Sequence, residues 1–164
     1  QHAFSVAQWY GGRMSRTIVL THNVRSAHNV GSIFRTADAA GVEKVLLSGY
    51  TPRPVDRFGR PQKDIAKTAL GAEKSVPWEH AKNPQIFLKK LKADGWSIVG
   101  VEQDLRAEDY RVVLPDKRVF VFGNEVRGIS PALRTACDRI IEIPMRGKKE
   151  SLNVSVAAGI VLFR

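Results

Sequence analysis

Three short stretches carry polar side chains and glycines at points where strands and helices meet. They are "NVGSIFRT" at residues 29–36, "FGNEVRGIS" at residues 122–130 and "IPMRGKKESLNVSVAA" at residues 143–158. In open α/β sheets, ligands bind beyond the carboxyl ends of the strands, at such junctions. The three stretches are therefore candidates for loops that hold a ligand.

Several of these residues also have an ordinary structural explanation. Asn29 can cap a helix, and Arg35 can be a solvated surface residue. Glu125 lies between Gly123 and Gly128, which permit tight turns or close backbone approach, so it can be a simple turn residue. Taken one at a time, the first two stretches are weak evidence for a catalytic or binding site.

The third stretch is harder to explain in that way. Ser151 stands where the last helix is expected to begin, so it can be a helix cap. Asn153 has poor helix propensity, and a cap at Ser151 does not account for it. Polar side chains at the start of an apolar segment must find partners or cost free energy. Asn153 is therefore a candidate site residue.

Common catalytic and cofactor motifs are missing. No G-x-G-x-x-G sequence follows the first strand, and the spacing around "RGKKES" does not match a P-loop. There is no G-x-S-x-G nucleophile elbow. With one Cys and four His residues in the chain, no metal-ligand spacing appears, so no metal site is expected.

Composition points to a folded basic protein with a polyanionic partner. The chain has 164 residues, 43% of them hydrophobic, and a net charge of +10. Such a surplus favours nucleic acid as a partner. No segment is long enough to span a membrane, and the first residues do not resemble a signal peptide. A single cysteine is typical of a reducing compartment, so a cytoplasmic location is expected.

The apolar pattern alternates between strands and helices, which predicts an α/β fold. Near-continuous Val, Ile and Leu in the strands indicate a mostly parallel sheet with helices on both faces. We expect one domain over residues 1–164, with an N-terminal extension at 1–16. The predicted strands are 17–23, 43–49, 96–102, 118–125 and 138–144, with an extended piece at 75–78. The predicted helices are 29–41, 64–73, 83–95, 130–138 and a last one from near Ser151.

One long loop, residues 50–63, combines basic and aromatic residues. It contains three prolines, four basic residues and two aromatics. Such a loop can be a plain connection, but loops of this length are often functional. Arginines beside aromatic rings suit stacking on unpaired bases. Arg53, Arg57 and Arg60 are therefore expected to contact RNA.

Taken together and in order, the three stretches resemble the signature motifs of the SpoU (TrmH-like) RNA methyltransferases of the SPOUT superfamily. The resemblance runs from about residue 17 to the C-terminus. It implies transfer of a methyl group from S-adenosylmethionine to a ribose 2′-hydroxyl of tRNA or rRNA. It also implies a deep C-terminal trefoil knot and a homodimer with the active site near the interface.

The resemblance also implies a set of cofactor-binding residues. The cofactor would lie in the knot, held largely by backbone groups of the second and third motifs. In this sequence those residues are Phe122, Gly123, Asn124, Glu125, Gly128, Ile143, Met145, Ser151, Leu152 and Val156.

The catalytic residues follow from the same resemblance. Arg35 matches the family's essential arginine. Because a guanidinium holds its proton firmly, gripping a phosphate and stabilising negative charge suit it better than acting as a base. The residues expected to orient Arg35, the ribose and the cofactor are Asn29, Glu125, Ser151 and Asn153. Arg127 and Arg146 flank the same loops and are expected to contact phosphates.

Two alternatives remain open from the sequence. One is a non-catalytic RNA-binding or scaffold protein with the same fold. The other is an RNA base methyltransferase of the wider superfamily. Cofactor binding separates the first alternative from an enzyme, and the position of the methyl group in the product separates the second.

Overall fold

A computed structural model of the protein describes residues 15–164. The chain order is β1 (Arg16–His22), α1 (Ala27–Ala39), β2 (Lys44–Ser48), α2 (Lys63–Ala69), α3 (Ala72–Ser75), β3 (Trp78–Ala81), α4 (Pro84–Ala93), β4 (Ser97–Val101), β5 (Glu108–Asp109), β6 (Lys117–Phe122), α5 (Pro131–Ala136), β7 (Arg139–Glu142) and α6 (Val154–Leu162). Most of the expected N-terminal extension, residues 1–14, lies outside the described residues.

The strands form one seven-stranded sheet in the order β3-β2-β1-β6-β4-β7-β5. All of the paired strands run parallel. The central strands β1, β2, β4 and β6 are mostly buried on both faces, as expected for a sheet that helices cover on each side. The predicted α/β class with a parallel sheet is confirmed, whereas the knot remains a prediction.

Two apolar cores lie on opposite faces of the sheet. One contains Phe34 of α1, Phe120 of β6 and Val161 of α6. The other contains Leu88 of α4 and Leu133 of α5. Because β6 lies in the middle of the sheet and alternates its side chains between the two cores, its carboxyl end is held rigidly. The second motif begins at that end.

Some element boundaries differ from those predicted. The 64–73 segment is two helices rather than one, since Leu70 adopts a left-handed conformation with φ 51° and ends α2. Strand β5 was not predicted. It is two residues long and pairs with β7, so it is too short to produce an alternating pattern.

Both helices that carry motif residues begin elsewhere than predicted. Helix α1 begins at Ala27, and the hydroxyl of Ser26 accepts from the Asn29 backbone N–H at 3.2 Å, so Asn29 is not the cap. Helix α6 begins at Val154 with Asn153 as its cap, so the predicted start near Ser151 is wrong. The Asn153 side chain thus has a structural role as the cap of α6, which was not predicted from the sequence.

Within residues 15–164, none of the helices combines the length and the hydropathy needed to cross a membrane. The same part of the chain contains no group of three or more His, Cys, Asp and Glu residues that could hold a metal ion.

Candidate active site

A continuous chain of hydrogen bonds joins the three motifs. The Asn29 amide nitrogen donates to Glu125 Oε1 at 3.1 Å. The Asn153 amide nitrogen donates to Asn29 Oδ1, also at 3.1 Å. Asn153 Oδ1 in turn accepts from the backbone N–H of Ser155 at 2.8 Å, which caps α6. Three residues that are far apart in the sequence, Asn29, Glu125 and Asn153, therefore form one polar cluster.

The direction of this chain is fixed by its carboxylate end. An ionised Glu125 can only accept hydrogen bonds, so Asn29 must present its NH₂ group to it. The Asn29 oxygen is then left to accept from the NH₂ group of Asn153, whose own oxygen faces the start of α6. The orientation of both amides thus follows from the charge on Glu125.

Glu125 also binds the start of α1. Its carboxylate accepts from the backbone N–H groups of Arg25, at 3.0 and 3.1 Å, and of Ser26, at 3.1 Å. Burial opposes ionisation of Glu125, but these backbone hydrogen bonds and the one from Asn29 outweigh burial and lower its pKa. A negative charge at this point also complements the positive end of the helix dipole.

The second motif forms a tight closed loop. The backbones of Asn124 and Gly128 exchange hydrogen bonds at 3.0 and 2.9 Å, and Asn124 Oδ1 accepts from the N–H groups of Val126 and Arg127. A Cβ atom on Gly123 would lie 2.2 Å from the backbone carbon of Gly128. Only glycine fits there, because the two arms of the loop touch.

Gly128 is constrained in a second way. Its φ is +67°, and a Cβ atom would lie 1.9 Å from Glu102 Oε2. That same oxygen accepts from the backbone N–H of Ile129 at 2.8 Å. Glu102, at the carboxyl end of β4, therefore anchors the end of the second motif.

A cleft opens between the second motif, the third motif and the end of β4. It consists of two neighbouring cavities of about 290 and 130 Å³. Glu102, Gln103, Ser151 and Leu152 line both cavities. The Gln103 side chain donates to the carbonyl of Glu150, which ties β4 to the third motif across the cleft.

Most of the predicted cofactor residues line this cleft. The larger cavity is lined by Phe122, Gly123, Asn124, Glu125 and Gly128 of the second motif. The smaller one is lined by Ile143 and Met145 of the third motif. Val156 does not line either cavity. It lies on α6 and is 50% exposed, so the structure does not support its predicted contact.

The contribution of β4 to the cleft was not predicted from the sequence. Val101, Glu102 and Gln103 line both cavities, yet none was predicted to be a site residue. A signal was present, because a Glu-Gln pair directly follows a buried strand, at the edge of the sheet where ligands bind. Without the strand order, nothing in the sequence placed β4 beside β6.

The predicted catalytic residues are only partly brought together. Asn29, Glu125 and Asn153 form the polar cluster, and Ser151 lines the adjoining cleft. Arg35 lies six residues after Asn29 on α1, roughly 9 Å further along the helix axis. It is exposed, and no hydrogen bond or ion pair of its side chain to another residue in the 15–164 range is present.

The predicted RNA-contacting arginines lie on exposed loops. In the loop after β2, the Asp56 carboxylate accepts from the backbone N–H of Arg60 and of Phe58, and from Arg60 Nε at 2.7 Å. The hydrogen bond from the Arg60 backbone, above all, lowers the pKa of Asp56. Arg53 and Arg57 are exposed in this loop.

The remaining two arginines, Arg127 and Arg146, are exposed on the second and third motifs. The basic side chains thus lie on loops that flank the carboxyl edge of the sheet, where the cleft opens.

Comparison with known proteins agrees with this geometry. Residues 16–163 match the model of the SpoU rRNA Methylase family. The chain is 36% identical over 145 residues to the 23S rRNA (guanosine-2′-O-)-methyltransferase RlmB of Neisseria meningitidis, a match covering 88% of this chain and 56% of the relative. The chain therefore spans little more than half the length of that relative.

Solved structures give the same result. A TrmH/SpoU tRNA modifying enzyme of A. aeolicus superposes with a TM-score of 0.79 at 34% identity, covering 92% of this chain and 74% of that one. The SpoU methyltransferase AviRb from Streptomyces viridochromogenes, solved with the cofactor AdoMet, has a TM-score of 0.79 at 27% identity, covering 93% and 57%. With its parallel sheet, its glycine-closed loop and its polar cluster joining three motifs, the chain belongs to the SpoU rRNA methylase family.

Proposed function

We propose that this protein is an S-adenosylmethionine-dependent RNA methyltransferase that modifies a ribose 2′-hydroxyl. The observation that carries the proposal is the Asn29–Glu125–Asn153 cluster beside a cleft formed by the second and third motifs. Family membership and the net charge of +10 support it. The relative from Neisseria is named as a guanosine 2′-O-methyltransferase of 23S rRNA, which makes rRNA the first substrate to test.

The residues of the cleft fit S-adenosylmethionine. Apolar side chains of Ile143, Met145 and Leu152 suit its adenine ring, and the carboxylate of Glu102 and the amide of Gln103 suit its polar groups. The two cavities together lie within the size range of ordinary small-molecule sites, roughly 300–1,000 Å³,. The bound cofactor would supply a methyl group that is already activated by its positive sulfur.

The chain's own residues would then align the ribose. Since the methyl group is activated, holding the hydroxyl oxygen in line with it is the main requirement. Ser151 offers a hydroxyl group in the cleft, Asn29 and Asn153 offer amide groups next to Glu125 at its edge, and Glu125 fixes the orientation of the amides. Glu125 is thus proposed as a positioning residue that does not itself remove the proton.

Arg35 is proposed to act on the RNA backbone. Its guanidinium is exposed and therefore available to a phosphate next to the target ribose. There it would stabilise the negative charge that develops on the attacking oxygen. The arginines at positions 53, 57, 60, 127 and 146 would hold phosphates further along the RNA. An RNA substrate also accords with the cytoplasmic location expected from the sequence.

A homodimer is part of the proposal. Helix α6 is apolar along most of its length, yet only Ala158 and Val161 are buried. Val156 and Phe163 are 50% and 63% exposed, and α6 lies against α1. An apolar helix face of this kind needs a partner, and a second copy packed on α6 and α1 would cover it beside the polar cluster.

The activity is tested by transfer of a labelled methyl group from S-adenosylmethionine to unmodified rRNA. Nuclease digestion and mass spectrometry then locate the methyl group on the ribose or on the base. We expect label on the ribose, and its loss in Arg35→Ala. Methyl groups found on a base would overturn the ribose assignment, and absence of cofactor binding in calorimetry would favour a scaffold.

The dimer is tested by light scattering of Val156→Glu. We expect a monomer, because a charge would be buried at the interface. Ile86→Glu is the matched control, since Ile86 is 67% exposed on α4, on the other face of the sheet, and should leave the dimer intact. An unchanged mass for Val156→Glu would place the interface elsewhere.

A further inference from the structure

Tyr50 is an exposed aromatic residue that is fixed at both ends. Its phenol oxygen accepts from the side-chain amide of Asn124 at 3.0 Å. Its backbone N–H donates to Asn23 Oδ1 at 3.2 Å. Even so, the residue is 56% exposed. The ring is therefore held in one position while much of its surface faces solvent.

The backbone beneath Tyr50 is equally constrained. Gly49 has a φ of +63°, and a Cβ atom there would lie 1.8 Å from Asn23 Oδ1. Asn23 itself has a φ of +59°, and its carbonyl accepts from the same Asn124 amide at 2.9 Å. The corners after β1 and β2 are thus locked together, and Asn124 connects both of them to the second motif.

Tyr50, the first residue of the basic loop, lies between the arginines of that loop and the polar cluster. On one side it lines a surface cavity of about 350 Å³ with Arg53 and Arg57. On the other side, the Asn124 amide that it binds is 3.5 Å from Glu125 Oε2. Tyr50 therefore lies between the arginines that could hold RNA phosphates and the Glu125 carboxylate.

The second aromatic residue of the loop is differently placed. Guanidinium groups of Arg57 and Arg60 lie over the Phe58 ring, at 4.7 and 5.0 Å from its centroid. No such cation lies over Tyr50 among the residues described. Phe58 therefore already has partners, whereas Tyr50 offers a free aromatic surface.

We propose that Tyr50 is the platform on which the base of the target nucleotide stacks, so that the ribose is held at the Asn29–Glu125–Asn153 cluster. This inference rests on the proposed function, since it assumes an RNA substrate. Stacking on an aromatic ring suits an unpaired base, because every base presents a flat π-surface. The anchored ring would need little reordering when RNA binds.

The test is a binding measurement that needs no methyl transfer. Two fluorescein-labelled single-stranded RNAs are compared by anisotropy in the presence of S-adenosylmethionine. One is a 12-nucleotide strand of alternating adenosine and cytidine, and the other is a ribose-phosphate strand of the same length without bases. The variants are Tyr50→Ala, Tyr50→Phe and, as the matched loss of an aromatic ring, Phe58→Leu.

We expect Tyr50→Ala to bind the base-containing strand roughly ten- to one-hundred-fold more weakly, and to bind the abasic strand as the wild type does. Tyr50→Phe and Phe58→Leu should retain the preference for bases. If Tyr50→Phe reproduced the loss, the Asn124 hydrogen bond rather than stacking would be responsible, and the inference would be wrong. Wild-type protein that binds both strands equally would also overturn it. Wild-type protein that binds neither strand would overturn the proposed function as well.

Discussion

Replacement of Asn29 by aspartate tests the polar cluster directly. The change is nearly isosteric, but it replaces the NH₂ group that faces Glu125 with an oxygen. Two carboxylate oxygens would then lie where the amide and the carboxylate are now 3.1 Å apart. The hydrogen bond would be lost, and two like charges would face each other at the start of α1.

The expected cost can be worked out from this geometry. A hydrogen bond to a charged group contributes about 1.5–3 kcal/mol. Repulsion at 3.1 Å adds up to about 5 kcal/mol at an effective dielectric constant of about 20, but exposure of both residues to solvent and protonation of one carboxylate reduce it strongly. We expect Asn29→Asp to lose about 2–4 kcal/mol of unfolding free energy near neutral pH, which lowers Tm by about 5–15 °C for a domain of this size.

The pH dependence of Tm distinguishes repulsion between the two carboxylates from a general loss of stability. In the wild type the pKa of Glu125 is lowered, so its stabilising effect is present above its unfolded pKa and is lost as the pH falls through the folded pKa. In Asn29→Asp the close carboxylates raise one pKa. The destabilisation is therefore present above that raised pKa and is relieved as the pH falls. The gap in Tm between variant and wild type should narrow on acidification.

Thermal unfolding followed by circular dichroism, at about pH 7.5 and about pH 5.5, measures both effects. Asn29→Ala is the control, because it removes the donor without adding a charge and should show a smaller, nearly pH-independent loss relative to the wild type. The reasoning would be refuted if Asn29→Asp melted within about 1 °C of the wild type near neutral pH. It would also be refuted if the two variants showed the same pH trend.

Three further predictions concern separate features. Gly128→Ala should bind S-adenosylmethionine at least about ten-fold more weakly in calorimetry, because the new Cβ would clash with Glu102 and the residue has a positive φ,. Gly147→Ala is the control and should bind normally, because nothing lies within 4 Å of its Cβ. Arg35→Gln should abolish methyl transfer to rRNA yet keep the wild-type Tm, and a large fall in Tm would show a structural role. Burial raises the pKa of Cys137 to about 11. Iodoacetamide should therefore label this thiol slowly at about pH 8 until urea unfolds the protein, and fast labelling of the folded protein would contradict the prediction.

The class of fold could be predicted from the sequence because the pattern that indicates it is local. Buried parallel strands such as Val19–Leu20 and Val119–Val121 are continuous apolar runs, and turn residues separate them from helices. Strand order is not a local property. The insertion of β7 between β4 and β5 left no trace in the pattern, and neither did the position of Glu102 beside Gly128.

The site itself was only partly predictable for a similar reason. Asn29, Glu125 and Asn153 were identified through the resemblance of three motifs, whereas the contacts between them depend on the fold. The sequence predicts a helix start near Ser151, which places Asn153 inside the helix, where asparagine is unfavourable. The structure shows it one position before α6, where asparagine is favoured. The two aromatic residues of the 50–63 loop were noted in the sequence, but nothing there distinguished Tyr50 from Phe58, because the hydrogen bond of Tyr50 to Asn124 spans 74 residues.

The polar cluster also has a consequence for how the protein is made. Its two amide contacts join residues separated by 96 and 124 positions, and the second of them involves the last helix of the chain. Contacts of such long range form late, because the intervening chain must first be ordered. A chain still emerging from the ribosome therefore has no assembled site. The cluster that is proposed to hold the ribose is therefore complete only once α6 has docked.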